Sequence, residues 1–171
     1  RTLTALAYDR RRSEAGSLHL TLGQGEETLP SELGNPAAGD SFAVCLFDES
    51  SPDPALLFQA QVPGSPACDD DACWTTATDG TLRFRSQSTL PEGVKKLQIR
   101  PASDGQARLA VQGAGLALSG RPGGLPPPPL SLPLRVQLQA SGGACWESRV
   151  SAEAVRRNDP KSFQARIESA H

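Results

Sequence analysis

Short runs in which apolar and polar residues alternate recur along the whole chain, separated by clusters of Gly, Pro, Asp and Ser. No stretch keeps apolar residues at helical spacing over three turns. A period of two is the mark of strands whose side chains point in turn to a core and to solvent, so the pattern predicts an all-β protein. Residues 17–22 show it cleanly, with Leu18, Leu20 and Leu22 on one face and His19 and Thr21 on the other. Residues 106–112 set Ala107, Leu109 and Val111 against Gln106, Arg108 and Gln112. Residues 132–140 give the clearest strand, Leu132, Leu134, Val136 and Leu138 against Pro133, Arg135, Gln137 and Gln139, the proline being tolerated near a strand's start.

The remaining segments fall around these. Residues 41–48 are apolar on both faces, Phe42, Val44 and Leu46 against Ala43, Cys45 and Phe47, which suits a central strand. Residues 55–62 follow the turn SSPDP and are expected to pair with it as a hairpin. Residues 81–86, then 94–100 with Leu97 and Ile99 inward, then 106–112 beyond Ser103-Asp104-Gly105, predict a meander. Residues 144–151 complete a second hairpin through Ser141-Gly142-Gly143. The long polar connection 23–40 is a candidate functional or crossing loop. Residues 113–133, with four consecutive prolines at Pro126 to Pro129, predict an extended surface crossing whose leucines tuck onto the core, a polyproline ligand being the other reading. Residues 152–171 are charged, with Asn158-Asp159-Pro160 as a stop and Phe163 and Ile167 as anchors of a short helix or an edge strand. The sum is an antiparallel β-sandwich, Ig-like or jelly-roll-like, of roughly eight to ten strands.

The first strand stands apart. Residues 2–8 carry Leu3, Ala5 and Ala7 on one face and Leu6 and Tyr8 on the other, so both faces expect cover. The basic run Arg10 to Arg12 detaches this strand from the next. The chain therefore divides into an N-terminal strand with its linker, residues 1–16, and a single sandwich domain, residues 17–171. The strand is a candidate for exchange with a neighbouring subunit by strand addition, through Leu3, Ala5, Leu6, Ala7 and Tyr8.

Composition changes this picture little. A chain of 171 residues is long enough to bury a core of its own. A net charge of -2 supplies no overall basic field for nucleic acid. No apolar run is long enough to cross a bilayer, and the opening RTLTALAYDRRR has neither the apolar core nor the cleavage site of a signal peptide. The chain contains no Met, so the numbering is expected to start after a removed leader or at an arbitrary boundary.

The four cysteines bear on compartment, because an even count without metal spacing reads as a disulfide framework. Cys68 and Cys73 bracket four residues and suit a local clasp, which leaves Cys45 with Cys145. The long-range bridge would close a loop worth roughly 4.7 kcal/mol in the chain-entropy model, against roughly 2 for the clasp. Both favour an extracellular, secreted or cell-surface protein.

Chemistry is sparse. Of the two histidines, His19 lies on the polar face of a strand and His171 at the terminus, so no Ser-His-Asp or Cys-His arrangement is written locally. Asp69, Asp70 and Asp71 inside the clasp offer oxygen ligands for calcium but lack the graded spacing of a calcium loop. Trp74, Trp146 and Tyr8 form either a sugar-stacking platform or, the heavier reading, core packing beside cysteines.

The order FAVCLFDES, ACDDDACW, DGTLRFRSQSTLPEGVKKLQI, LPLRVQLQASGGACWES and RRNDPKSFQARI resembles an uncharacterised family of bacterial secreted proteins with a Cys-x4-Cys-Trp clasp and a terminal VQL…CWE strand. The resemblance covers about residues 41–167, implies a secreted β-rich fold, and supplies no activity. The acidic triplet departs from it, a less acidic linker being expected there. The expected role is that of a non-enzymatic structural protein without a cofactor, a surface or filament subunit whose partner is another copy of itself. The alternative is a carbohydrate- or calcium-dependent binding module with the Asp69 to Asp71 loop and Trp74 as its site.

Overall fold

In a computed structural model the chain forms twelve strands in two antiparallel sheets, described over residues 3–9, 16–65, 73–86, 92–103, 105–119 and 122–166. One sheet has eight strands in the order β11-β12-β1-β2-β8-β7-β6-β5 and the other four in the order β10-β9-β3-β4. The strands are β1 (Leu3–Asp9), β2 (Gly16–Gly25), β3 (Phe42–Asp48), β4 (Ala55–Val62), β5 (Trp74–Thr76), β6 (Leu82–Arg85), β7 (Val94–Arg100), β8 (Ala107–Gly115), β9 (Leu134–Ala140), β10 (Cys145–Val150), β11 (Val155–Asp159) and β12 (Ser162–Arg166). The all-β sandwich expected from alternation is present, with twelve strands among the described residues where eight to ten are expected, as are the β3–β4 and β9–β10 hairpins and the β6–β7–β8 meander. Among the described residues no helix is long and apolar enough to cross a membrane.

The core between the sheets is built from the alternating positions. Leu18, Leu20 and Leu22 of β2 meet Leu97, Ile99, Leu109 and Val111 of β7 and β8 in one cluster with Phe42, Val44, Leu46, Val136 and Leu138 from the smaller sheet. Burying each such side chain is worth about 1.5–3 kcal/mol, which makes the two-sheet core the main source of stability. At one flank Trp74 lies between Phe42 and Phe84, with ring centroids 5.5 and 5.2 Å away, and its Nε1 donates to the Pro63 carbonyl at 2.8 Å.

The crossing between β8 and β9 opens on a single helical turn, α1 (Leu116–Ser119), and residues 122–133 have no regular structure. Its leucines do tuck onto the core: Leu118, Leu125 and Leu130 are buried. Asn158 fastens it to β11, its amide donating to the Leu130 carbonyl while its Oδ1 accepts from the Leu130 N–H, both at 2.8 Å. Gly93 permits the close approach of α1, since a Cβ there would come within 2.7 Å of the Leu118 backbone nitrogen.

Three expectations need correction. The tail is a hairpin, β11–β12, and not a helix or one edge strand. The supposed stop is its turn, where Asp159 Oδ1 accepts from the N–H groups of Lys161 and Ser162 at 2.8 and 3.0 Å. Phe163 anchors it as expected, fully buried, whereas Ile167 lies outside the described residues. Secondly, Cys45 and Cys145 are free thiols, so the long-range staple is not formed. Both stand on the outward face of the smaller sheet, as the parity of their strands required, but β9 runs between β3 and β10. Two strand spacings are about 9.6 Å, beyond the ~7 Å over which two Cα atoms can be bridged. Thirdly, Trp74 is a core residue, as the heavier reading had it, so it is not the exposed ring that the alternative binding module required. Cys73 is not a free thiol, while Cys68, its expected partner in the local clasp, lies outside the described residues.

Candidate functional site

Two places carry the residues that the alternation singled out. The first is β1 itself. It sits inside the eight-stranded sheet, antiparallel to β12 on one edge and to β2 on the other. Leu6 lies opposite Ala165 and Leu20 and is 4 % exposed, so the strand inserts an apolar side chain into the core. Ala7, half-buried, pairs with Gln164 and His19 on the outward side. Leu3 lies opposite Gly23, Ala5 opposite Arg166 and Thr21, and Tyr8 opposite Phe163 and Leu18. Without β1, both β2 and β12 would present unpaired N–H and C=O groups, and the C-terminal hairpin would lose its connection to the rest of the sheet.

The second is a cleft of about 530 Å³ at the end of the sandwich where β10 begins. Leu22, Ile99 and Leu109 form its floor and Trp146 lines it, with Glu26, Arg100, Arg108 and Glu147 among the other lining residues. The indole is fixed: its Nε1 donates to Thr28 Oγ1 at 3.1 Å, and Thr28 is held by a two-way backbone bridge to Ala102. A half-buried aromatic ring beside charges of both signs is the general layout of a small-molecule or sugar site. The sequence offers Trp146 either as part of a sugar-stacking platform or, the heavier reading, as core packing beside a cysteine. Nothing along the chain signalled that the ends of β2, β7 and β8 would meet it.

Cys145 lines the same cleft, two strands from Cys45. Desolvation raises the Cys145 thiol above its ordinary value, Glu147 adding to the effect and Arg135 opposing it. Burial likewise raises Cys45, with Cys145 a second cause. Both sulfurs therefore stay protonated at neutral pH, which suits inert thiols and not activated nucleophiles. Beside them, on the outward face, Glu49 takes Arg135 Nε at 2.9 Å and Arg149 Nε at 3.0 Å, and Arg135 lies 4.9 Å from the centre of the Phe47 ring.

A thiol reagent is expected to titrate Cys145 in the folded protein and to reach Cys45 only on unfolding, because the first is exposed and the second buried. The linked pH effect has a definite sign. The folded state holds these protons to higher pH than the unfolded chain, so their contribution is complete below the ordinary thiol range and is lost as pH rises through the raised values. The urea midpoint should therefore fall as pH rises above the ordinary thiol value of about 8.5, and fall less in Cys45→Ser. Equal slopes in the two proteins would contradict this.

The other expected site residues are quickly placed. Asp69, Asp70 and Asp71 lie outside the described residues; among the described residues no cluster of His, Cys, Asp or Glu is arranged to hold a metal. His19 is exposed on the outward face of the eight-stranded sheet, between Gln112 and Ala7. No protein-family model, curated protein or solved structure matches the chain.

Proposed function

We propose that this protein is a non-enzymatic structural module of the cell surface or extracellular space, assembling with copies of itself through donation of β1. The observation that carries this reading is the position of β1, an inner strand paired on both edges and followed in the sequence by the basic run Arg10 to Arg12. A strand so placed can be supplied by a neighbour with every backbone and core contact preserved, and head-to-tail use of it propagates a fibre. The extracellular location rests on Cys73, which is disulfide-bonded, and on the resemblance to secreted proteins.

Negative-stain electron microscopy of the full chain beside a variant lacking residues 1–9 tests this. Filaments from the first and their absence from the second are expected; monodisperse particles from the full chain at high concentration sink the reading.

A second reading, a carbohydrate-binding module, is favoured by the cleft beside Trp146 rather than by Trp74, which is buried. Its check is Trp146 fluorescence against neutral oligosaccharides in a Trp74→Phe background, where an unchanged signal across the panel removes it.

A further inference from the structure

The net charge of -2 is an average over faces of different character. On the outward face of the eight-stranded sheet, pairing register assembles two long rows of side chains. One runs Arg83, Gln98, Ala110 and Thr21 across β6, β7, β8 and β2, and reaches Arg166 on β12. The next runs Arg85, Lys96, Gln112, His19, Ala7 and Gln164 across the same strands. A third, shorter row places Arg100 opposite Arg108. The arginines, the lysine, the glutamines and His19 in these rows are all exposed, and no acidic residue stands in any of the rows. The sheet's own acids, Asp9 and Asp159, come one row further on at a corner, where Asp159 is already paired with Arg157 at 2.9 Å.

This segregation is not what mixing would give, since the chain has more acids, 19, than bases, 17. It also has a cost. Arg85 lies directly opposite Lys96, and Arg100 directly opposite Arg108, and like charges in cross-strand register destabilise a sheet. Asp79 is near enough to Arg100 to feel its charge, although the Thr81 N–H is the larger cause of its lowered carboxyl. Arg83, Arg85, Lys96, Arg108 and Arg166 form no ion pair with a described residue. A surface that sets like charges opposite one another, most of them without an ion pair among the described residues, in a net-acidic chain has the electrostatics of a polyanion site.

From these observations we propose that the outward face of the eight-stranded sheet is a docking surface for an acidic polysaccharide, a polymer of sulfated or carboxylated sugars. The cations reach across about 24 Å of sheet from β6 to β12, enough for several charged groups of one extended chain. Between them stand Gln98, Gln112, Gln164 and Thr21, whose amides and hydroxyl match the hydroxyl groups of sugars. The rows hold no Phe, Tyr or Trp on which successive nucleic acid bases would stack, His19 being the one ring among them, and no large apolar side chain to enter a bilayer. A broad flat sheet also offers no helix or ribbon to the groove of duplex DNA. The proposal is independent of assembly through β1.

The test measures binding of the full chain to dextran sulfate, with uncharged dextran, a DNA duplex and anionic phosphatidylglycerol vesicles alongside. The face variant Arg83→Gln/Arg85→Gln/Lys96→Gln/Arg108→Gln is compared with a control, Arg149→Gln/Lys161→Gln, that removes cations elsewhere; circular dichroism melts establish that both fold. Dextran sulfate should bind in a salt-dependent way, about tenfold or more weaker in the face variant and within about twofold of wild type in the control, while uncharged dextran does not bind. Equal losses in the two variants, or no binding of dextran sulfate, overturn the proposal. Tighter binding of DNA overturns it in favour of nucleic acid, and tighter binding of vesicles in favour of a lipid surface.

Discussion

Leu6→Asp is expected to abolish cooperative folding of the full chain. The side chain lies at the middle of an inner strand, 4 % exposed, opposite Ala165 and Leu20. Removing it forfeits about 1.5–3 kcal/mol of apolar burial. Placing a carboxylate there adds a desolvation cost of several kcal/mol with no cation opposite. The sum reaches the roughly 5–15 kcal/mol that separates folded from unfolded domains of this kind. Leu6→Ala, which leaves only a cavity, should cost about 2–5 kcal/mol and keep a measurable transition. Urea unfolding followed by circular dichroism checks both, and a Leu6→Asp protein that unfolds like wild type would mean that β1 is no part of the cooperative sheet.

The second large effect is expected at Trp74. Its ring fills the space between Phe42 and Phe84, and its Nε1 donates to Pro63 where β4 ends. Trp74→Ala should destabilise by about 3–5 kcal/mol through the cavity and the lost ring contacts. Trp74→Phe should cost less, because most of the volume remains while about 1 kcal/mol of hydrogen bonding is lost. Trp146 supplies the comparison. It is only half-buried at the cleft, so Trp146→Ala should cost distinctly less than Trp74→Ala. Equal losses would show that the two tryptophans do not divide into core and site as described.

Much of this fold was legible because period-two alternation reports which residues face a core. Leu18, Leu20 and Leu22, or Leu134, Val136 and Leu138, are buried where the pattern put them. Alternation carries no information about which strands become neighbours, and the misreadings follow from that. The face shared by Cys45 and Cys145 was read correctly, yet β9 stands between them. The place of β1 between β2 and β12 joins residues at opposite ends of the chain and has no local signature. The tail hairpin was hidden because its turn depends on one aspartate oxygen capping two N–H groups, and β5 because three residues are too few to show a period. The cleft and the basic face were illegible for the same reason. Arg83, Arg85, Lys96 and Arg108 are scattered among acids along the chain, and only register brings them onto one surface without those acids.

The exchange of β1 can be read directly from a covalent link across its own register. Ala7 lies opposite Gln164, a separation that a disulfide spans. Ala7→Cys with Gln164→Cys, in a chain also carrying Cys45→Ser and Cys145→Ser, would be oxidised and run on a non-reducing gel. Donation of β1 from one copy to the next predicts a ladder of covalent multimers that collapses to a single band on reduction. A monomer linked only within its own chain, at every protein concentration, would contradict the assembly mechanism and leave β1 as an ordinary strand of its own sheet.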